Sequence, residues 1–254
     1  MVRFLCAMLS VVLFGIGAAN AETYRLGYRA AILGGVEIGS ANYDVTANAR
    51  TYAVRSTLRT SGAASIFDQT QITATSQGAI SGANIGWTEY DLSHAYAGKF
   101  RRIHMARGAS GITASIEPRY GNMGSPETTT AQQRASYDPL SALFALGRQV
   151  GAAGACNGSV LVFDGRGHYR LEVTAKGSGN FNGGGYNGPA VSCNFTYTPI
   201  AGFNLSQAEI RQIPVAEAWF ALPQGGGFAP PVRLTVPTPI GAAQLDLNSY
   251  ERIN

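Results

Sequence analysis

The sequence predicts a mainly β protein: a single curved antiparallel sheet, or an open or closed β-barrel, of about a dozen strands with one main α-helix packed on it. Three observations predict it. Apolar and polar residues alternate with period two over most of the chain, so each such run has one buried face and one wet face. Gly, Asn and Ser recur between the runs at near-regular spacing, as in a meander that curls into a sandwich or barrel. One segment alone carries a strong apolar stripe at helical spacing.

The elements follow in order. Tyr24, Leu26, Tyr28, Ala30 and Ile32 alternate with Arg25 and Arg29, and Gly34-Gly35 supplies a turn. Ala41, Tyr43 and Val45 continue the pattern, then Tyr52, Val54 and Leu58, then Ile72 and Ala74. Ile103 with Met105, and Ile112 with Ala114 and Ile116, extend it towards Pro118. Glu117 to Ser136 breaks the alternation with Pro118, Gly121, Gly124 and Pro126 and reads as a long surface loop. Asp138 then offers a cap and Pro139 suits a first turn, while Leu140, Leu143, Phe144 and Leu146 place an apolar stripe on a helix ending near Val150-Gly151. Strands resume at Val160–Phe163 and Tyr169–Val173 around an Asp164-Gly165 turn. Gly177 to Gly188 holds six glycines and reads as a flexible loop. It lacks the G-K-[ST] ending and the strand-to-helix context of a phosphate-binding loop. Val191–Tyr197 is a strand, Ser206 and Glu209 have capping-box spacing for one or two helical turns, and three strands close the chain at Val215–Leu222, Pro231–Val236 and Gln244–Tyr250.

Met1 to Ala21 has the layout of a secretory signal peptide: Arg3, an apolar core from Phe4 to Gly17, and the small-x-small site Ala19-Asn20-Ala21. The expected mature protein is one β-rich domain over residues 22–254, free in the periplasm. Cys6 sits at the start of the apolar core and not after it at the cleavage point, so it is not a lipid-attachment cysteine, and no stable membrane anchor is expected. The mature chain has 254 − 21 = 233 residues and a formal charge of (19 − 1) − 15 = +3. Its basic residues come singly or in pairs, which excludes a nucleic-acid stripe. Export also disfavours nucleotides, and no cofactor is expected. Cys156 and Cys193 remain, and an isolated pair in an oxidising compartment is most simply a disulfide, worth about 4 kcal/mol in the chain-entropy picture.

Chemistry is sparse. His94, His104 and His168 lack metal-ligand spacing, so no metal site is expected, and no G-x-S-x-G serine elbow occurs. No catalytic residue stands out. The most unusual stretch is Phe163 to Leu171. It reads either as a polar cluster of Asp164, Arg166, His168 and Tyr169 presented to an anionic or sugar-containing ligand, or as a tight hairpin. In the hairpin reading, which Asp-Gly favours, Arg166 and His168 face water while Tyr169 and Leu171 pack. Leu143 and Phe144 on the helix either line a lipophilic pocket or simply fill the core. Trp87 and Trp219 carry the same ambiguity.

An ordered series of residues resembles a known family. Asp138-Pro139-Leu140-Ser141-Ala142, Cys156, Val162-Phe163-Asp164-Gly165-Arg166 with Tyr169-Arg170-Leu171, Val191-Ser192-Cys193 and Gly202 are similar to the proteobacterial periplasmic family called domain of unknown function 3108. The resemblance spans nearly the whole mature chain and implies export and a β-rich fold. It implies no activity and no catalytic residues. Where that pattern favours a further basic residue after Arg166, this chain has Gly167-His168.

These readings lead to a soluble periplasmic protein that binds a lipophilic ligand such as a lipid or acyl chain, or an envelope protein partner, on an architecture like that of lipoprotein carriers. One alternative is an outer-membrane β-barrel, although the chain ends Tyr250-Glu251-Arg252-Ile253-Asn254 without a terminal aromatic residue. The other is an envelope hydrolase whose site assembles from distant residues such as His168, a serine and a carboxylate.

Overall fold

The computed structural model describes residues 21–62, 65, 69–225 and 227–253. The expected leader lies outside them, apart from its last residue. Thirteen strands form one antiparallel sheet. They are β1 (Glu22–Ile32), β2 (Val36–Ala47), β3 (Thr51–Thr60), β4 (Gln71–Ser81), β5 (Asn84–Tyr96), β6 (Lys99–Gly108), β7 (Gly111–Glu117), β8 (Asn157–Phe163), β9 (His168–Gly183), β10 (Tyr186–Ala201), β11 (Ala216–Ala221), β12 (Pro231–Thr238) and β13 (Gly241–Ile253). Their spatial order is β7-β6-β5-β4-β3-β2-β1-β13-β12-β11-β10-β9-β8. Two meanders therefore run in opposite directions from a central seam, where β1 pairs with β13 from Thr23 against Ile253 to Ala31 against Gln244. The sheet does not close by pairing its edge strands β7 and β8.

The chain crosses between those edges through α1 (Thr130–Arg134) and α2 (Pro139–Ala153); α3 (Gln207–Arg211) is a short surface turn. The long loop expected over Glu117–Ser136 thus contains a helical turn, set by a reciprocal capping box between Thr129 and Gln132. Helix α2 forms where expected. Asp138 accepts the Leu140 and Ser141 amides, Pro139 sits in the first turn, and Gly154 ends the helix with φ 62°. It is buried on almost every side, with Leu140, Ala142, Phe144, Ala145, Leu146 and Val150 in the core, so it fills the concave side of the sheet and does not lie on a surface. The inward residues Tyr24, Leu26, Val45, Val54, Trp87, Met105 and Val162 complete this core. Burying a side chain of this size contributes about 1.5–3 kcal/mol.

The flexible loop expected over Gly177–Gly188 is instead the far end of the β9–β10 hairpin, paired from Ser192 against Gly177 to Tyr186 against Gly183. Glycine serves close approach here. A Cβ on Gly184 would stand 2.5 Å from the Leu247 carbonyl oxygen, so the hairpin tip lies flat on β13. Cys156 and Cys193 form a disulfide with Cα atoms 5.6 Å apart, tying the start of β8 to the middle of β10.

Candidate functional site

Helix α2 does not fill the whole concave space. Its carbonyl at Gly147 accepts the Ala229 amide at 3.0 Å, and Arg148 donates to the Gly82 carbonyl at 2.8 Å. Those partners lie in the β11–β12 and β4–β5 connections, at one end of the sheet. Towards the other end, Leu143 faces a gap against the inner surfaces of β1–β3 and β10–β13. This cleft has a volume of about 210 Å³ and is lined chiefly by Tyr28, Tyr43, Leu58, Leu143, Phe195, Phe220, Leu234 and Leu245. Its polar groups are largely spent on the fold. Tyr28 donates its hydroxyl to the Pro231 carbonyl at 2.7 Å, Tyr43 to that of Leu140 at 3.4 Å, and Arg233 is held by Asp246 at 2.5 Å. Burial pushes the Tyr28 and Tyr43 phenols far above the ordinary tyrosine range, so both stay neutral donors. What remains facing the gap is apolar, which suits hydrocarbon.

Of the residues singled out in the sequence, Leu143 alone lines this cleft. Phe144, one step round the helix, is buried 4.8 Å from the Tyr52 ring and 5.4 Å from that of Phe228. The hairpin residues lie elsewhere. Asp164 accepts the Arg166 and Gly167 amides at 3.0 and 2.7 Å, which makes the turn, and burial raises its carboxyl above the usual range. Arg166 lies over the Tyr120 ring at 5.3 Å, and Tyr169 packs on Tyr197 at 4.8 Å. His168, expected to face water in the hairpin reading, is 3% exposed. Its inward place follows from pairing: Phe163 opposite His168 closes β8 on β9, and Phe203 leaves no room for a side chain at Gly167. The turn itself docks on Ile103 and Ile116 of β6 and β7. Its local chemistry was legible; its burial under the opposite sheet edge was not. Trp87 is core, donating to the Ser136 carbonyl at 2.9 Å, whereas Trp219 stands on the other face beside Phe181.

The family described as Protein of unknown function (DUF3108) matches residues 23–248. The chain belongs to that family. No curated protein matches it. A crystal structure described as a β-barrel-like protein of domain of unknown function DUF1849 from Brucella abortus aligns with a TM-score of 0.50 at 11% identity, covering 93% of this chain and 100% of that one. At that identity the similarity is one of fold.

Three further polar groupings occur among the described residues of this DUF3108 chain. Beneath the N-terminus of α2, Asp138, Ser76, Ser141 and Tyr52 form a buried chain of hydrogen bonds of 2.7–2.9 Å. Beside it, the Ser136 hydroxyl donates to the Gln132 carbonyl at 2.7 Å and lies 3.0 Å from His168 Nδ1. That pair resembles two members of a hydrolytic triad, yet the protons run the wrong way. His168 Nδ1 also lies 3.3 Å from the Val162 carbonyl, which can only accept, so Nδ1 carries the hydrogen and cannot act as base on Ser136. Burial lowers the His168 pKa, keeping the ring neutral. On the convex face, the register of β5 on β6 sets Asp91 opposite His104, Nδ1 to carboxylate 2.8 Å, and Glu89 completes a trio of donor groups within 4.8 Å of one another. Sequence spacing did not mark this trio, because His104 joins it only through strand pairing.

Proposed function

We propose that this chain is an exported envelope protein, free in the periplasm, that binds one lipophilic chain in the cleft beside Leu143. The observation that carries this reading is an apolar gap left open within an otherwise packed concave face. Its size is below the range of roughly 300–1,000 Å³ for drug-sized ligands, so a single acyl segment suits it better than a fused ring. Each methylene moved from water into the gap contributes about 0.8 kcal/mol. The leader-like residues 1–21 and the Cys156–Cys193 disulfide both suit an oxidising compartment. Asp44, Arg55 and Asp91 stand on the convex face at mid-height, where a membrane barrel would present an apolar band, which argues against the barrel alternative.

The test is native mass spectrometry of protein purified from the envelope, with displacement of a fluorescent fatty acid as the binding assay. We expect bound lipid or micromolar fatty-acid uptake, weakened at least about tenfold by Leu143→Arg, which places a charge in the gap. A folded wild type that neither carries lipid nor takes up the probe would overturn the reading. Mature protein starting at Glu22 is the expected result of N-terminal sequencing, and an uncleaved N-terminus would remove the export step.

A further inference from the structure

The two rims of the sheet differ in a way the cleft does not explain. Among the described residues ten large apolar side chains are exposed, and nine of them sit at one end of the sheet; Ile253 alone sits at the other. Leu33 lies in the β1–β2 turn, Val36 at the start of β2, Leu58 near the end of β3, Phe100 at the start of β6, Val215 just before β11 and Ile240 in the β12–β13 turn. The cleft lies nearer this end than the β11–β12 and β4–β5 connections do, with Leu58, Leu234 and Leu245 lining its upper part. The two most exposed side chains, Leu33 at 57% and Ile240 at 64%, are on adjoining turns: the Leu33 side chain reaches within 4.0 Å of where a Gly241 Cβ would stand.

Leu33 is also costly where it is. It has φ 51°, a conformation that glycine or asparagine adopts more readily, and it is followed by Gly34 and Gly35. A turn built for stability alone would carry a polar residue or glycine at that point. Behind the rim stands positive charge. The register aligns Arg29, Ser40 and Arg59 across β1–β3 on the convex face, and Lys99 precedes Phe100. Arg29, Arg59 and Lys99 have no ion-pair partner among the described residues.

We propose that this rim docks the protein on a lipid bilayer surface bearing anionic head groups, with the Leu33 and Ile240 turns inserted among the acyl chains. Apolar tips on separate turns suit a fluid surface, whereas a stable protein interface needs them packed into one continuous patch of about 800 Å². Cations just behind the tips are placed to meet the head groups. Docking would bring the cleft's end of the sheet towards the lipid; that link rests on the proposed cleft function, while the docking itself does not.

Flotation of purified mature protein with phosphatidylethanolamine–phosphatidylglycerol vesicles tests it. We expect binding that weakens at least about tenfold in the Leu33→Asp/Ile240→Asp variant and falls by about threefold when salt is raised to about 0.5 M. Ile253→Asp, at the opposite rim, should leave it unchanged. Circular dichroism and light scattering on each variant report folding and oligomeric state. Absence of vesicle binding, equal loss with Ile253→Asp, or a dimer that only the rim variant breaks would each overturn the proposal, the last by assigning the rim to a second copy. Vesicle binding by a protein that takes up no fatty acid would sustain the docking and sink the cleft reading alone.

Discussion

Asp138 Oδ1 accepts the Leu140 and Ser141 amides at 3.0 Å each, while Oδ2 accepts the Ser76 hydroxyl at 2.9 Å. The capping half was legible, because Asp-Pro before an apolar helix is a local signal. The Ser76 half was not, because that partner is 62 residues away and reaches Asp138 only once β4 lies under α2. The two halves separate by mutation. Asp138→Ala removes the cap and strands buried hydroxyls, and we expect a loss of about 2 kcal/mol in urea unfolding. Asp138→Asn keeps an acceptor for the amides. Burial outweighs the hydrogen bonds and raises the Asp138 carboxyl above its ordinary pKa, so the native state binds more protons than the unfolded chain. Its contribution therefore falls as pH rises through the carboxylate range to the raised value. We expect the melting temperature of Asp138→Asn, relative to wild type, to climb from about pH 4 to pH 7. A difference that is flat with pH would show that the fold leaves the Asp138 carboxyl at its ordinary pKa.

Among the elements, the connection from α2 to β8 is tied to the β9–β10 hairpin by the Cys156–Cys193 disulfide, at a sequence separation of 37. Helix α2 could be read from sequence to within a few residues, since its cap, proline and apolar stripe are all local. The hairpin could not, since six glycines from Gly177 to Gly188 read as slack, whereas they sit in a paired hairpin whose tip, at Gly184 and Gly185, lies against β13. The cleft shares that difficulty. Alternation marks Phe195, Leu234 and Leu245 as inward, but an inward residue reads the same whether it packs or lines a void. Removing the crosslink with Cys156→Ser and Cys193→Ser together should cost about 4 kcal/mol and lower the melting temperature by roughly 10 °C for a chain of this size. A melting curve unchanged by the double substitution, or by reductant on the wild type, would mean that the crosslink removes little freedom from the unfolded chain, as residual structure there would explain.

For the whole molecule, the decisive feature is a barrel-like sheet that is sutured where it does not pair. Residues 118–138 fill the space between β7 and β8. Tyr137 exchanges hydrogen bonds with the β8 backbone, donating to Leu161 and accepting from Phe163, both at 2.8 Å. Arg107 of β6 donates to the carbonyls of Arg134 and Ser136. The far side of the segment is fixed by the Gly202 amide to the Pro126 carbonyl at 2.8 Å, the Ser125 amide to that of Phe203 at 3.0 Å, and the Thr128 hydroxyl to that of Arg166 at 2.8 Å. None of this was legible, because the segment's composition announces only a loop and its partners are distributed over both half-sheets. Gly202 is the point to test. It has φ +80°, and a Cβ there would stand 2.1 Å from the Arg166 carbonyl oxygen, so alanine must push the hairpin turn away from residues 125–128. We expect Gly202→Ala to cost roughly 3 kcal/mol. Gly34→Ala, with φ +75° but nothing within 4 Å, should lose only about 1 kcal/mol. Amide hydrogen exchange locates the damage. Protection should fall in residues 118–138 and along β7 and β8, while the β1–β13 seam keeps it. If exchange instead rises uniformly, the edges do not open as a unit, and the sheet depends on its suture for global stability and not for closure alone.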